Sequence, residues 1–185
     1  MTFTVHDKQS APEESRQTLE NVEQAYGFLP NIMGAFAESP AILQAYIQLN
    51  ELFSYQTAFD ETEQQVVLMT VSHYHNCEYC MAAHSTIAKG QDVDEPVINA
   101  LRNGEDLPDA RLAALQAYTL ELLDNRGHVS ADTKDNFTAQ GYGPRHALEV
   151  ILGIATKTLS NYTNHLAHTP LDKEFQPAAW QSEAA

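Results

Sequence analysis

The chain has 185 residues, of which 43% are hydrophobic and 19% charged, and its formal net charge is −15, from 25 acidic and 10 basic residues. This composition is typical of a globular protein with a core and excludes a largely disordered chain. Because so acidic a surface repels phosphate backbones and anionic lipid headgroups, we expect neither nucleic acid nor a membrane as a partner.

The chain begins with a polar stretch that lacks the hydrophobic segment of a signal peptide. Its apolar runs fall far short of the roughly 20 residues that a membrane span requires. We therefore expect a cytoplasmic protein. Two cysteines are too few for a disulfide scaffold, and in the cytoplasm such a pair is typically catalytic, redox-active or metal-binding.

Hydrophobic periodicity and helix-capping residues predict helices along almost the whole chain. In chain order the predicted helices cover residues 17–28, 32–38, 40–56, 60–74, 78–89, 94–103, 109–125, 130–139 and 144–167. Since no segment alternates as a strand over more than a few residues, we predict an all-α fold. The prediction comprises a flexible N-terminal arm (residues 1–14), a single helical domain (15–169) and a polar C-terminal tail (170–185). In that tail, Phe175 and Trp180 are candidates to dock on a neighbouring subunit.

The two cysteines, Cys77 and Cys80, lie three residues apart, and His84 follows four residues after the second. Cys77 is expected at the start of a helix, where unpaired N–H groups and the helix dipole stabilise a thiolate. Residues 80 and 84 share a helix face, so His84 can exchange a proton with Cys80. The pattern indicates a dithiol that attacks an oxidant such as a peroxide, forms a sulfenic acid and closes to a disulfide. An external dithiol then reduces the disulfide.

Two other interpretations of the cysteine pair stay open. Free cysteines can simply pack as small hydrophobic residues. With His73 added, the cysteines and His84 make a Cys2His2 set of zinc ligands. All four are spaced along one helical stripe, whereas a tetrahedral site usually takes ligands from two separate arms.

Two stretches of the chain resemble the AhpD-like superfamily, which holds the alkylhydroperoxidase D proteins and the carboxymuconolactone decarboxylases. They are residues 63–72 (EQQVVLMTVS) and residues 77–85 (CEYCMAAHS), and the close resemblance covers about residues 58–91. It implies an all-helical fold, assembly into trimers or hexamers, and peroxidase or disulfide-reductase chemistry with no bound metal or organic cofactor. The decarboxylase branch typically lacks the cysteine pair, which argues against lactone decarboxylation.

The resemblance also implies a role for each residue of the motif: Cys80 attacks, Cys77 resolves and His84 relays the proton. From the residues alone, Cys77 is favoured as the nucleophile because it lies nearest the helix end. Alkylhydroperoxidase D proteins can carry a histidine just before the second cysteine, and this chain has Tyr79 there.

The family's relay glutamate, twelve residues before the first cysteine, corresponds to Gln65 in this chain. An amide can orient a partner through hydrogen bonds but cannot act as the base. Glu63, His73 and His75 are candidates to replace it. Because a straight helix would place residue 65 about 18 Å from residue 77, Gln65 can take part only if the chain turns back near Asn76.

The sequence therefore predicts a homo-oligomeric thiol peroxidase or disulfide reductase that uses a lipoyl or thioredoxin-type protein as its dithiol donor. The alternative is a redox-responsive assembly or binding protein whose dithiol switches state without turnover, and the missing glutamate favours it. Four aromatic residues are candidates to line a substrate pocket or to fill the core: Tyr46, Phe53, Tyr55 and Phe59.

Overall fold

The structure, a computed structural model, describes residues 2–182. Within that range the chain forms α-helices and one 3-10 helix and no β-strand, so the predicted all-α fold is confirmed. The helices are α1 (Glu13–Tyr26), α2 (Asn31–Phe36), α3 (Pro40–Gln56), α4 (Glu61–Tyr74), α5 (Glu78–Gly90), α6 (Glu95–Asn103), α7 (Ala110–Asp124), α8 (Ala131–Ala139) and α9 (Pro144–Ala167), and the 3-10 helix is Gln176–Ala178.

Helix α1 begins four residues earlier than predicted, at Glu13. Pro12 precedes it, and Glu13 and Glu14 place two carboxylates in the first turn, where the helix dipole favours negative charge. Helices α3 and α9 have the predicted ends. The remaining helix ends differ from the predictions by one or two residues, which is the ordinary uncertainty of helix termini.

Helix α4 lies at the centre of the fold, packed against α5, α7 and α9. It begins with a capping box, in which Asp60 accepts the Glu63 N–H and the Glu63 carboxylate accepts the Asp60 N–H. Val66, Val67 and Met69 are fully buried. The apolar residues on several faces of this helix therefore meet neighbours on several sides.

Helix α9 approaches α3 and α4 closely at Gly153. A Cβ atom on Gly153 would lie 2.7 Å from Val67 Cγ1 and 2.8 Å from Phe53 Cε2, which is closer than real Cβ contacts. Glycine at this position therefore lets α9 lie deep in the core, where part of its polar sequence is buried.

The chain reverses direction between α4 and α5 at Asn76. This residue has a φ of 54°, in the left-handed region that asparagine tolerates better than most residues. The next residue continues the reversal, since the Cys77 N–H donates to the Ser72 carbonyl at 2.9 Å. As a result α5 packs back along α4, which is the turn that Gln65 needs in order to reach the cysteine helix.

The segment before α1 lies against α2. The His6 N–H donates to the Gly34 carbonyl at 3.1 Å, and a Cβ atom on Gly34 would lie 2.4 Å from the His6 oxygen. The flexibility of residues 1–14 and the single domain over residues 15–169 stay predictions. Met1 and residues 183–185 belong to the predicted arm and tail but lie outside the described residues.

Residues 170–182 pack against their own chain. Trp180 Nε1 donates to the Arg102 carbonyl of α6 at 2.9 Å. The buried Phe175 ring lies 6.0 Å, between centroids, from the Tyr79 ring of α5. The two apolar residues of the predicted tail therefore dock on α5 and α6 of their own chain, and a contact with a neighbouring subunit stays a prediction.

Several large apolar side chains lie on the surface, and four of them follow one face of α9: Leu148, Ile151, Tyr162 and Leu166. A subunit interface would cover such a face, and the homo-oligomer stays a prediction. Across residues 2–182, every helix is too short or too polar to span a bilayer.

Candidate active site

The cysteine pair opens helix α5. Cys77 is its N-cap residue and Cys80 lies within its first turn, as the sequence predicts. Both side chains are buried free thiols. This places the pair where the helix dipole favours a negative sulfur.

The pKa values of the two cysteines are shifted in opposite directions. Burial raises the pKa of Cys80, but the hydrogen bond from Cys77, the charge of Lys157 and the contact with Ser160 outweigh burial and hold this pKa well below its ordinary value. The hydrogen bond to Cys80, followed by burial, raises the pKa of Cys77. These shifts favour the thiolate at Cys80 and the S–H at Cys77, the reverse of the order favoured by the residues alone.

Helix α9 supplies the polar groups around the sulfurs. Asn164 Nδ2 donates to Cys80 Sγ at 3.2 Å and lies 3.7 Å from Cys77 Sγ. Ser160 Oγ lies 3.7 Å from Cys80 Sγ. Lys157, Ser160 and Asn164 follow one face of the helix, at i, i+3 and i+7. Sequence reasoning missed them, and the available signal was their spacing, which places three polar residues on one face of α9.

Lys157 is a buried cation with an exposed fraction of 1%. No ion pair joins it to a carboxylate within residues 2–182. A buried ammonium group is costly unless an anion lies beside it. The charge of Lys157 is one of the causes that lower the pKa of Cys80, so a thiolate at Cys80 would offset this buried charge.

His84 is held by a chain of two glutamines. Its Nδ1 lies 3.0 Å from Gln65 Oε1, and Gln65 Nε2 donates to Gln91 Oε1 at 2.8 Å. Because the Gln65 amide nitrogen faces Gln91, its oxygen accepts from His84, and the ring proton of a neutral His84 is on Nδ1. Burial, and after it the charge of Lys157, lowers the pKa of His84 well below its ordinary value. His84 is therefore neutral near pH 7 and presents Nε2 as the proton acceptor.

His84 and Cys80 line one cavity of about 370 Å³, here named the Cys80 cavity. Within residues 2–182 no direct hydrogen bond joins the two side chains. The proton exchange expected from their i, i+4 spacing would therefore need a group held between the two side chains.

The wall of the Cys80 cavity is partly apolar and partly polar. Its aromatic and aliphatic residues include Tyr26, Ile32, Met33, Tyr46, Tyr55, Leu68, Tyr79, Ile87 and Phe175. Two of the four aromatic candidates, Tyr46 and Tyr55, line it, whereas Phe53 and Phe59 belong to the buried core. The cavity can take an apolar molecule of several carbon atoms beside the thiolate.

The three candidate replacements for the relay glutamate lie outside the Cys80 cavity. The Glu63 carboxylate is engaged by Arg111, with Nη2 at 2.7 Å. His73 packs against Trp180, and His75 points to α9, where it bonds to an asparagine. None of these groups is placed to serve as a base for Cys80.

Tyr79, which lies between the cysteines in sequence, points to the C-terminal segment. Its hydroxyl donates to Asp172 Oδ2 at 2.5 Å. Burial, and after it this hydrogen bond, raises the pKa of Tyr79, so the phenol stays neutral. It holds the segment that carries Phe175 against the cavity and does not act as an acid or a base.

The zinc alternative gains no support from the geometry. Within the described range of residues 2–182, no three His, Cys, Asp or Glu side chains are grouped to hold a metal ion. His73, which would complete the set, lies against Trp180.

Residues 40–120, which run from α3 into α7 and contain Cys77, Cys80, His84 and Gln65, match the sequence model of the carboxymuconolactone decarboxylase family. Together with the fold comparisons below, this match supports an assignment to the AhpD-like, carboxymuconolactone decarboxylase superfamily. This agrees with the resemblance seen in the motif. A comparison of this AhpD-like chain with curated protein sequences finds no match.

Solved structures share the AhpD-like fold over nearly the whole chain. An alkylhydroperoxidase AhpD core protein from Ralstonia eutropha JMP134, described as an uncharacterized peroxidase-related protein, superposes with a TM-score of 0.81 at 20% identity, over 94% of this chain and 93% of that one. A peroxidase-related protein from Silicibacter sp. TM1040 gives 0.79 at 16% identity, over 95% and 92%. The debrominase Bmp8, as a cysteine-to-alanine variant in complex with 2,3,4-tribromopyrrole, gives 0.78 at 19% identity, over 96% and 95%.

Proposed function

We propose that this chain is a thiol-dependent peroxidase that reduces hydroperoxides with the Cys77–Cys80 pair. The observation that carries the proposal is the difference between the two cysteines in pKa. The lowered pKa of Cys80, which lines the Cys80 cavity, favours a thiolate there, and the raised pKa of Cys77, through its hydrogen bond to Cys80, favours a proton on Cys77. A thiolate is the nucleophile for a peroxide bond, and a second thiol in contact with it can resolve the product.

The Cys80 thiolate attacks the terminal oxygen of a hydroperoxide ROOH. The O–O bond breaks, and the products are a Cys80 sulfenic acid and an alkoxide, which takes a proton and leaves as ROH. The Lys157 ammonium group stabilises the negative charge before and during this step. His84, neutral with its acceptor at Nε2, moves protons within the cavity, and Gln65 orients it through Nδ1.

The second step closes the disulfide. Cys77 gives up its proton and attacks the Cys80 sulfur, and the sulfenic oxygen leaves as water. The pair has then lost two electrons, and the hydroperoxide has gained them. An external dithiol returns the electrons by thiol–disulfide exchange. The same cysteine pair can therefore also act as a disulfide reductase.

The test is consumption of an organic hydroperoxide and of hydrogen peroxide with excess dihydrolipoamide. Wild type, Cys80→Ser and Cys77→Ser are compared. We expect turnover in wild type and none in Cys80→Ser. In Cys77→Ser treated without the dithiol, we expect a single equivalent consumed with sulfenic acid left on Cys80, visible by dimedone labelling. Full turnover in Cys80→Ser would refute the proposal. If the wild-type disulfide forms but no hydroperoxide is turned over, the non-catalytic redox switch replaces the peroxidase.

A second candidate function is reductive dehalogenation of an aromatic ring. The aromatic residues that line the Cys80 cavity favour it, and one structural neighbour is a debrominase whose structure holds 2,3,4-tribromopyrrole. Replacing a carbon–bromine bond by carbon–hydrogen consumes two electrons, and two thiols supply them: the products are ArH, bromide, one proton and a disulfide.

The two candidates differ in what the pair reduces. Bromide release and disulfide formation with tribromopyrrole, at a rate that exceeds disulfide formation by organic hydroperoxides, would favour dehalogenation. Cys80→Ser is the common control, because both reactions need the same thiolate.

A further inference from the structure

The Cys80 cavity continues into a depression on the protein surface. Five residues line both of them: Ser54, Tyr55, Glu61, Gln64 and Gln91. Tyr55 has an exposed fraction of 83%, and Glu61 is also exposed. We name this end of the cavity, defined by the five shared residues, the mouth. Cys77 lines a separate opening of about 410 Å³, so a molecule that enters at the mouth reaches the Cys80 side of the pair.

Negative charge lies at the mouth of the cavity. Glu61 is the first residue of α4, and its side chain lines both the cavity and the depression. In the part of the chain that the structure describes, no lysine, arginine or histidine forms an ion pair with it. Its neighbour Asp60 also lines the depression. A molecule that enters the cavity at the mouth therefore passes an unpaired carboxylate.

The interior of the cavity also disfavours an anionic ligand. Among residues 2–182, the lysine or arginine that lines the cavity is Lys157, and its charge acts on Cys80. A carboxylate bound in the cavity would repel the Cys80 thiolate and compete with it for Lys157. An uncharged ligand avoids both costs and gains burial against apolar side chains such as Ile32, Met33 and Leu68.

We propose that the Cys80 cavity takes uncharged hydroperoxides with an apolar alkyl or aryl group, and that Glu61 at the mouth discriminates against hydroperoxides that carry a carboxylate. This inference rests on the proposed peroxidase function, whose substrate class it narrows. The net charge of −15 repels anions from the whole surface, and Glu61 adds a local repulsion where the substrate enters. Because salt screens exposed charges, the selection should weaken as the ionic strength rises.

The test compares the alkylation of reduced Cys80 by iodoacetamide and by iodoacetate at low salt, with the label located by peptide fragmentation. Both reagents alkylate a thiolate, and they differ chiefly by one negative charge, so their rate ratio measures charge selection. Glu61→Gln removes the charge at the mouth. Glu95→Gln, the matched control, removes a charge from the first residue of α6, which does not line the cavity. We expect the iodoacetamide-to-iodoacetate ratio to fall about threefold in Glu61→Gln and to keep its wild-type value in Glu95→Gln.

Charge reversal and salt sharpen this test. Glu61→Lys should lower the ratio further, to about a tenth of the wild-type value, because attraction replaces repulsion. In about 0.5 M sodium chloride, the wild-type ratio should approach that of Glu61→Gln. Unchanged ratios in both Glu61 variants would overturn the inference, and so would an equal change in Glu95→Gln.

A pair of hydroperoxides extends the test to the proposed reaction. Cumene hydroperoxide and its 4-carboxylate share the ring and the peroxide group and differ in charge. With excess dihydrolipoamide, we expect the larger kcat/KM for the uncharged compound and a difference about threefold smaller in Glu61→Gln. A preference for the carboxylate would overturn the inference. If neither compound is turned over while the alkylation ratios hold, the proposed function fails and the charge selection at Glu61 stands.

Discussion

His84 Nδ1 lies 3.0 Å from Gln65 Oε1, so the far end of the histidine is fixed by an amide that carries no charge. An amide can orient the ring and set its tautomer, but it cannot stabilise the imidazolium as a carboxylate would. Burial and the charge of Lys157 then keep His84 neutral. His84 in this chain is therefore a neutral histidine whose Nε2 can accept a proton.

Replacing Gln65 by glutamate should change the pH dependence of cysteine oxidation. A carboxylate beside Nδ1 stabilises the protonated ring, so the pKa of His84 rises and the acid limb of the pH–rate profile moves up by about one unit or more. The measurement is the rate of disulfide formation by an organic hydroperoxide between pH 5 and 8. Gln91→Ala, which removes the partner of Gln65 without adding a charge, should leave the limb in place. An unmoved limb in Gln65→Glu would mean that His84 does not take part.

Replacing Lys157 by methionine should raise the pKa of Cys80. The substitution removes the buried cation and keeps most of the side-chain volume, so the thiolate loses the charge that opposes burial. We expect the midpoint of iodoacetamide alkylation at Cys80, located by peptide mass, to move up by about one pH unit or more. Lys157→Arg retains the charge and should restore most of the wild-type midpoint. Equal alkylation midpoints in all three proteins would contradict an effect of Lys157 on the pKa of Cys80.

The free energy of unfolding should fall as the pH drops through 6.5. The pKa of His84 in the folded protein lies well below the ordinary value of 6.5, so below pH 6.5 the unfolded chain binds more protons. The loss is at most about 1.4 kcal/mol per pH unit from this group. Urea titrations at pH 7.5 and 5.5 measure it. The His84→Gln variant should lose less stability between these pH values, and an equal loss would contradict a buried neutral His84. Burial also lowers the pKa of His75. This residue therefore reduces the free energy of unfolding at low pH in the wild type and in the variant alike.

Gly153→Ala should destabilise the fold. Its Cβ atom would collide with Val67 and Phe53, and such overpacking costs about 1–3 kcal/mol in the free energy of unfolding. Gly90→Ala is the matched control, because a Cβ atom there meets nothing within 4 Å, and it should stabilise the protein by up to about 1 kcal/mol. Both values follow from thermal or urea unfolding. If Gly153→Ala had the same free energy of unfolding as the wild type, α9 could shift to accommodate the methyl group without loss of stability.

The sequence predicted the helices well because their signals are local. Pro40 and Pro144 mark the first turns of α3 and α9, and Asp60 with Glu63 marks the start of α4. The early start of α1 was missed because Glu13 and Glu14 carry no apolar periodicity. Their signal is the acidic first turn alone.

The sequence predicted only those parts of the candidate site that lie close together along the chain. Cys77, Cys80 and His84 lie on one helix, so their spacing could be interpreted directly. Lys157 and Asn164 reach the sulfurs from a helix about 80 residues away in sequence, and only the packing of α9 brings them there. The choice of Cys80 over Cys77 as the thiolate depends on these distant groups, which is why helix position alone gave the opposite order.

The separate openings at Cys80 and Cys77 have a kinetic consequence. In an enzyme whose two reactants share one entrance, an excess of either blocks the other, and double-displacement kinetics show mutual competition. Here Cys80 and Cys77 line different openings, so a hydroperoxide at Cys80 and a reductant at Cys77 would reach the pair from different sides. A high concentration of donor would therefore leave the Michaelis constant for the hydroperoxide free of competitive inhibition.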